Sequence, residues 1–292
     1  MKKILVLGGT KFFGKKAVDQ LVQNGHDVTI ATRGNNPHPF GDSIQHNILD
    51  ARDGAHEGWE NITNQKWDAV FSNILYTKED AQLMIEKFIG LTDHFYFTSS
   101  MAVYAGEMDG FVETAFEPTE FQIDPEIEVD YGEGKRQVEQ VLFTDAPFKV
   151  TSFRFPIVLD NDDYTRRLHF YVEKALHDEV IYFNTKDDKV NYVKGSTAAA
   201  SIVWAIENEK EGIYNVSSID AITIGTLMTW IEEAVKKPLH VTYKENHGEQ
   251  SPFNMYSDAY LISNKIHNEG FKLEELHTWM KPLIADLVKE LS

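Results

Sequence analysis

Residues 4–14, Ile4-Leu5-Val6-Leu7-Gly8-Gly9-Thr10-Lys11-Phe12-Phe13-Gly14, form a short apolar strand that runs into a glycine turn. Ala17, Val18, Leu21 and Val22 follow at helical spacing. Strand, glycine turn and helix in that order suit a pyrophosphate. Glycines let the backbone come close to the phosphates, and the helix start aims unpaired N–H groups and a positive dipole end at them. Gly8, Gly9, Thr10, Lys11, Phe12, Phe13 and Gly14 are therefore the first candidates for holding a dinucleotide. Lys11 stands where the usual fingerprint has its middle glycine.

Outward from this turn, strands and helices alternate. Strand patterns cover residues 3–7, 27–31, 44–46, 68–72, 94–98 and 149–153, and helical patterns cover 14–24, 78–89 and 131–143. Such alternation implies βαβ units, right-handed crossovers and a doubly wound parallel sheet. Ligands in such sheets sit at the carboxyl ends of the strands. The glycine turn, Thr32-Arg33 and Ser99-Ser100 thus belong on one edge. Farther on, helices are expected at 163–177, 196–207, 224–235 and 273–291, with short strands at 180–183, 212–216 and 239–243. The fold class is α/β with a smaller, interleaved C-terminal lobe. Residues 1–157, with segments within 186–216, form the dinucleotide-binding domain, and residues 158–292 form mainly the substrate lobe.

Composition narrows the function. The 292 residues contain no cysteine, which excludes disulfides, thiolate zinc sites and a cysteine nucleophile. Eleven histidines are scattered without His-Glu-x-x-His spacing, so no metal site is expected. With 28 basic against 46 acidic residues the net charge is −18, and no long Lys/Arg cluster offsets it, which argues against nucleic acid as a partner. The apolar run after Met1-Lys2-Lys3 is too short for a signal peptide and reads as a first strand. No stretch approaches the length of a membrane span. A soluble cytoplasmic protein acting on a small molecule is the expectation.

The chemistry concentrates at two places. Phe97-Thr98-Ser99-Ser100-Met101-Ala102-Val103-Tyr104 ends the fifth strand, and Tyr131-Gly132-Glu133-Gly134-Lys135 opens the next helix. The spacing of four sets Tyr131 and Lys135 on one helical face. An ammonium beside a phenol favours the phenolate, so Tyr131 can serve as general acid or base with Lys135 as its electrostatic partner. Ser100 can orient a carbonyl or alcohol oxygen beside it. Tyr182 and Lys186 repeat the spacing, but in a strand-like run where the two side chains share no face.

Together these features resemble an extended short-chain dehydrogenase/reductase of the NAD-dependent epimerase/dehydratase family, in an atypical branch. The resemblance spans nearly the whole chain. It rests on the glycine turn, the Thr-Ser-Ser-x-x-Val-Tyr strand end, the Tyr-x-x-x-Lys helix, Arg154-Phe155-Pro156, and Ile213-Tyr214-Asn215-Val216 followed by Ile222-Thr223-Ile224. It implies a Rossmann-type fold, catalysis by Ser100, Tyr131 and Lys135, and Phe155, Pro156, Ile157 and Val158 near a nicotinamide. Asn47 stands where the family often has an aspartate contacting adenine. The resemblance leaves the oligomeric state open, with a homodimer through the helices flanking the sheet as the family's frequent arrangement.

Departures shape the rest. The Lys11 turn resembles that of chloroplast stem-loop RNA-binding proteins, so a nucleotide-binding regulator or RNA-binding protein that keeps the fold is the alternative to an NAD(P)-dependent oxidoreductase. Asn191-Tyr192-Val193-Lys194 replaces the epimerases' histidine-valine-acid-acid stretch, and Ile157 replaces an asparagine, which argues against a nucleotide-sugar substrate. The second strand ends in Ala31-Thr32-Arg33-Gly34, without the carboxylate that binds ribose hydroxyls in NAD sites. Arg33 and Lys11 instead suit a 2′-phosphate, favouring NADP(H) over NAD(H). Finally, residues 107–130 carry nine acidic residues and no Lys or Arg, a candidate lid against anionic substrates or an ordinary solvated loop.

Overall fold

A computed structural model describes every residue except Asn36, Glu107, Asn246 and residues 255–258. Glu107, counted in the acidic segment, thus lies outside the described residues. The chain divides into two compact units.

The first unit comprises Met1–Ala105, Glu113–Phe155 and Ser196–Asn215. Its strands are β1 (Lys3–Leu7), β2 (Asp27–Thr32), β3 (Gln45–Ile48), β4 (Ala69–Ser72), β5 (His94–Ser100) and β6 (Lys149–Phe155). Its helices are α1 (Phe12–Gln23), α2 (Trp59–Thr63), α3 (Lys78–Phe88) and α4 (Tyr131–Asp145). The second unit comprises Gly106–Val112, Pro156–Gly195 and Val216–Ser292. It contains β7 (Ile157–Leu159), α5 (Arg167–Leu176), β8 (Ile181–Tyr182), β9 (Lys189–Val190) and β10 (Tyr192–Lys194). Then α6 (Gly195–Glu207) and β11 (Gly212–Asn215) return the chain to the first unit. Back in the second unit come β12 (Ile222–Thr223), α7 (Ile224–Val235), β13 (Val241–Thr242), β14 (Glu249–Gln250), α8 (Asn264–Asn268) and α9 (Leu276–Leu291).

Seven strands of the first unit form one sheet in the order β11-β6-β5-β4-β1-β2-β3, all neighbours parallel. This is the Rossmann-type doubly wound sheet, and strand order reverses between β1 and β4. Parallel central strands are covered on both faces, which is why Ile4 to Leu7 are apolar throughout and fully buried. One face packs Leu5, Leu7, Val70, Phe95 and Phe97 against α2, α3 and α4 through Trp59, Met84, Phe88, Val138 and Leu142. The alternate side chains of β5 point the other way. Tyr96 donates to the Ala205 carbonyl of α6, and His94 meets Thr151 Oγ1 at 2.8 Å.

The sequence-expected elements of this unit fall within a few residues of those found. In the second unit helix α5 starts at Arg167, not at 163, because Asp163 instead receives the Thr165 N–H at 2.9 Å in a turn. Helix α9 starts at Leu276, where Asp220 accepts the first N–H at 2.7 Å. Strands β7, β9, β10, β12 and β14 are only two or three residues long, too short to show a period. The unit's core gathers Tyr171, Phe183, Tyr192, Leu227, Phe253, Trp279 and Leu283. Among the described residues no helix is long and apolar enough to cross a membrane, and no cluster of three or more His, Asp or Glu is set to hold a metal.

Candidate functional site

At the switch point the turn after β1 packs on the turn after β4. Gly8 and Gly9 both have positive φ, +95° and +79°. A Cβ on Gly9 would lie 2.8 Å from Val6 Cγ1, and one on Gly14 would lie 3.2 Å from the Gly9 Cα and 3.0 Å from Asn73 Nδ2. Only glycine therefore lets strand, turn and helix close up this tightly. Lys11 occupies the N-cap of α1. Its side chain makes no capping hydrogen bond to the start of the helix. Phe12 adopts φ +51°, a left-handed conformation that turns the chain into α1. Phe13 reaches Phe155 at the end of β6, ring centroids 5.5 Å apart. This cradle fits a dinucleotide pyrophosphate.

The serine strand and the tyrosine helix meet at Lys135. The residue is 2% exposed, and its ammonium donates to two carbonyls, Leu75 at 2.6 Å and Thr98 at 2.9 Å. Burial lowers its pKa to about 8, while Glu139 and Asp80 raise it and Arg52 lowers it further. The ammonium lies 5.7 Å from the Tyr131 ring centre and 4.7 Å from that of Tyr76. Tyr131 opens α4, half exposed, behind Asp130, whose carboxylate caps the helix by accepting the Glu133 N–H at 2.7 Å. Gly132 and Gly134 are needed because side chains there would strike the carbonyls of Ala102 and Tyr76. Ser100 accepts the Ala102 N–H at 3.2 Å, starting a 3-10 turn, and its own proton is still there to donate. Beside it, the hydroxyls of Thr98 and Ser99 are buried without a hydrogen-bond partner among the described residues.

Two residues at this edge escaped the sequence reading. Tyr76, just past β4, tilts toward Tyr131 with ring centroids 6.4 Å apart, and Arg52 stands 4.8 Å over the Tyr76 ring. The rule that ligands gather at strand ends applies to β4 as well as to β1, β2 and β5, and it would have pointed to Tyr76.

Below the site, Arg154 is fully buried against Glu139, one helical turn after Lys135 on α4. Its guanidinium also donates to Tyr104 Oη at 2.9 Å and to the carbonyls of Glu113 at 2.7 Å and Phe116 at 3.0 Å. The loop after the serines is thereby tied to β6. Several residues of the acidic segment have similar local duties. Glu113 accepts the Asn215 N–H at 2.9 Å, and Asp109 accepts from Lys189 at 2.9 Å and from the Tyr260 hydroxyl at 2.7 Å. Those hydrogen bonds lower the Asp109 pKa.

The remaining candidates lie as follows. Arg33 is exposed just beyond β2, and Asn47 on β3 is in register with Ala31. Phe155 ends β6, Pro156 follows, and Ile157 and Val158 enter β7, paired with Tyr192 and Val193. Asn191 is buried, its amide donating to Ser217 Oγ at 2.9 Å and the Leu261 carbonyl at 2.8 Å and accepting from the Leu261 N–H at 3.1 Å. Tyr182 and Lys186 share no helix, since Tyr182 ends β8 and Lys186 lies in the turn before β9.

Residues 4–217 match the profile of the NAD dependent epimerase/dehydratase family. No curated protein matches the chain significantly. Among solved structures, the chain is similar to the UDP-glucose 4-epimerase of Thermus thermophilus in complex with NAD, at 18% identity, TM-score 0.74 and 99% coverage of both chains. It is also similar to the UDP-glucose 4-epimerase of Thermotoga maritima with UDP-glucose, at 18% identity, TM-score 0.75 and 99% coverage of both. The UDP-glucuronic acid 4-epimerase of Bacillus cereus in complex with NAD gives 15% identity and TM-score 0.74, covering 99% of this chain and 97% of the other. At such identities the likeness is one of fold.

Proposed function

The chain belongs to the NAD dependent epimerase/dehydratase family, and from that premise we propose an enzyme that takes a nicotinamide dinucleotide on the glycine cradle and acts on a small carbonyl, alcohol or sugar-like substrate through Ser100, Tyr131 and Lys135. The bound nicotinamide supplies a hydride acceptor and donor. Tyr131 moves the proton of the substrate hydroxyl, and Ser100 donates its hydroxyl hydrogen to the same oxygen to hold it in line. Lys135 acts on Tyr131 through its charge. That charge is present below its pKa of about 8 and fades as pH rises through it. Support for the phenolate is therefore available at neutral pH.

One observation carries this reading. The ammonium of Lys135 is buried beneath the Tyr131 ring and anchored to the Thr98 carbonyl of the strand that bears Ser99 and Ser100. The similar structures hold UDP-sugars or NAD, but a nucleotide sugar is not carried over to this chain. Asn191 replaces the expected histidine and is engaged in holding backbone.

For the cofactor we favour NADP(H). Support comes from Arg33 directly after β2, from the lack of a carboxylate at Ala31 and Thr32, and from Lys11 at the N-cap of α1. Titration of the purified protein with NADPH and NADH, followed by nicotinamide fluorescence, tests it. Tighter NADPH binding that Arg33→Ala weakens, with NADH nearly unaffected, is expected. Tyr131→Phe should retain cofactor binding and lose turnover in a carbonyl screen, and retained turnover would refute its role. Binding of neither nucleotide would remove the enzyme reading, and salt-dependent RNA binding would then be the measurement to make.

A further inference from the structure

At the end of β2 and β3, on the side strand Thr32 faces, two histidines meet. His46 on β3 has its Nε2 2.8 Å from Thr32 Oγ1, and the same oxygen accepts the Gly34 N–H at 3.3 Å. His38, from the loop between the strands, stands edge-on to His46 with ring centroids 4.6 Å apart. It stacks in turn on Phe40, over which Lys15 places its ammonium at 5.8 Å. His38 Nδ1 is buried with no hydrogen-bond partner among the described residues. Neither imidazole has a carboxylate partner among them. The acid beside Lys15 is Asp19 of its own helix, at 2.7 Å.

Such a pair is built against its own charge. Two imidazoliums this close repel, and burial and His38 together lower the His46 pKa. A dianion bound at the end of β2 would reverse that, and the end of β2 is where a cofactor's ribose 2′ position is read in this fold.

The geometry points to a protonation-dependent phosphate subsite, in which His46 acting through Thr32, together with His38, holds the 2′-phosphate of NADP(H) beside Arg33. It rests on the NADP(H) reading above. The hydrogen-bond arithmetic at Thr32 supplies the switch wherever neutral His46 carries its proton on Nδ1, the Nε2–H tautomer donating as the imidazolium does. When His46 is protonated, its Nε2–H and the Gly34 N–H both donate to Thr32 Oγ1, filling both lone pairs. The hydroxyl hydrogen then turns outward as a donor for a phosphate oxygen. When His46 is neutral with its proton on Nδ1, Thr32 donates to Nε2 instead and offers the ligand only a lone pair. Of the charged groups around the pair, Lys15 lies over the Phe40 ring that stacks on His38 and is itself paired with Asp19 on α1, and Arg33 directly follows β2. Guanidinium, ammonium and carboxylate groups ordinarily keep their charge across neutrality, so His46 sets the pH response.

Linkage fixes the sign. A bound phosphate raises the imidazole pKa, so the added affinity is fully present below the free value and is lost as pH rises through the bound one. Raising that pKa by one corresponds to about tenfold in affinity. The 2′-phosphate itself titrates at about 6 and works in the opposite direction, which the variants isolate because they keep the phosphate and lose the imidazole.

The experiment is titration of the whole protein with NADPH and NADH between about pH 5.5 and about pH 8.5 at fixed ionic strength, for the native chain and for His38→Asn, His46→Asn and Thr32→Val. The NADPH-over-NADH ratio should rise roughly tenfold more on acidification in the native protein than in the variants, which still favour NADPH through Arg33. A native preference for NADPH with the same pH course in all four proteins overturns the subsite and leaves the Arg33 reading standing. No NADPH preference at any pH overturns both. Since His38 lies in a loop, its variant keeps the test open should a strand variant fail to fold.

Discussion

Lys135→Met separates what this lysine does for the fold from what it does for the chemistry. The native ammonium is buried, and its pKa drops from the ordinary 10.5 to about 8. A base whose pKa is lower in the folded state binds fewer protons there than in the unfolded chain between the two values. Stability therefore rises with pH across that window and is depressed by a constant amount below it. The gap of ~2.5 corresponds to roughly 3 kcal/mol of destabilisation at neutral pH. Between about pH 7 and about pH 9, ~1.3 kcal/mol of it is relieved. Methionine removes the buried charge and keeps the volume, but it strands the carbonyls of Leu75 and Thr98, at about 1–3 kcal/mol each. These effects offset, so at about pH 7 the variant should lie within ~2 kcal/mol of the native protein. Urea unfolding followed by tryptophan fluorescence at both pH values measures the double difference. The native protein should gain ~1.3 kcal/mol more than Lys135→Met on going to the higher pH. Equal changes in the two proteins would show that Lys135 is not a depressed, buried base.

Two further tests probe the scaffold. Arg154→Leu leaves Glu139 buried without its partner and frees the carbonyls of Glu113 and Phe116, so it should cost about 3–5 kcal/mol in urea unfolding. Adding Glu139→Leu should recover part of that loss, and no recovery would mean that the ion pair is not the source of the cost. Gly9→Ala puts a methyl group 2.8 Å from Val6 Cγ1 at a φ of +79°. It should destabilise the fold by about 1–3 kcal/mol and weaken NADPH and NADH alike in the fluorescence titration. A loss confined to one nucleotide would contradict a cradle for the shared pyrophosphate.

How much of this was legible beforehand follows from the range of the forces involved. The alternation of apolar strands with amphipathic helices, and hence the parallel sheet with its ligand edge, can be read in the sequence, because each element buries a face set by its own short period. The glycine turn and the Tyr131–Lys135 spacing are local for the same reason, and so is the missing carboxylate after β2. Short strands such as β7 and β10 carry too few residues to show a period, and they exist because they pair with each other.

The sequence alone thus determined the sheet, its edge, and which residue types of the candidate site stand at strand and helix ends. Only the tertiary structure decided what those residues touch. Lys135 is anchored by carbonyls 60 and 37 positions away, and Arg154 finds acceptors 38 to 50 positions away. Tyr76 joins the site from the end of a different strand, and His38 meets His46 through a loop with no period of its own. Such partners depend on strand order and register, which cooperative packing of the whole chain settles and no local window contains.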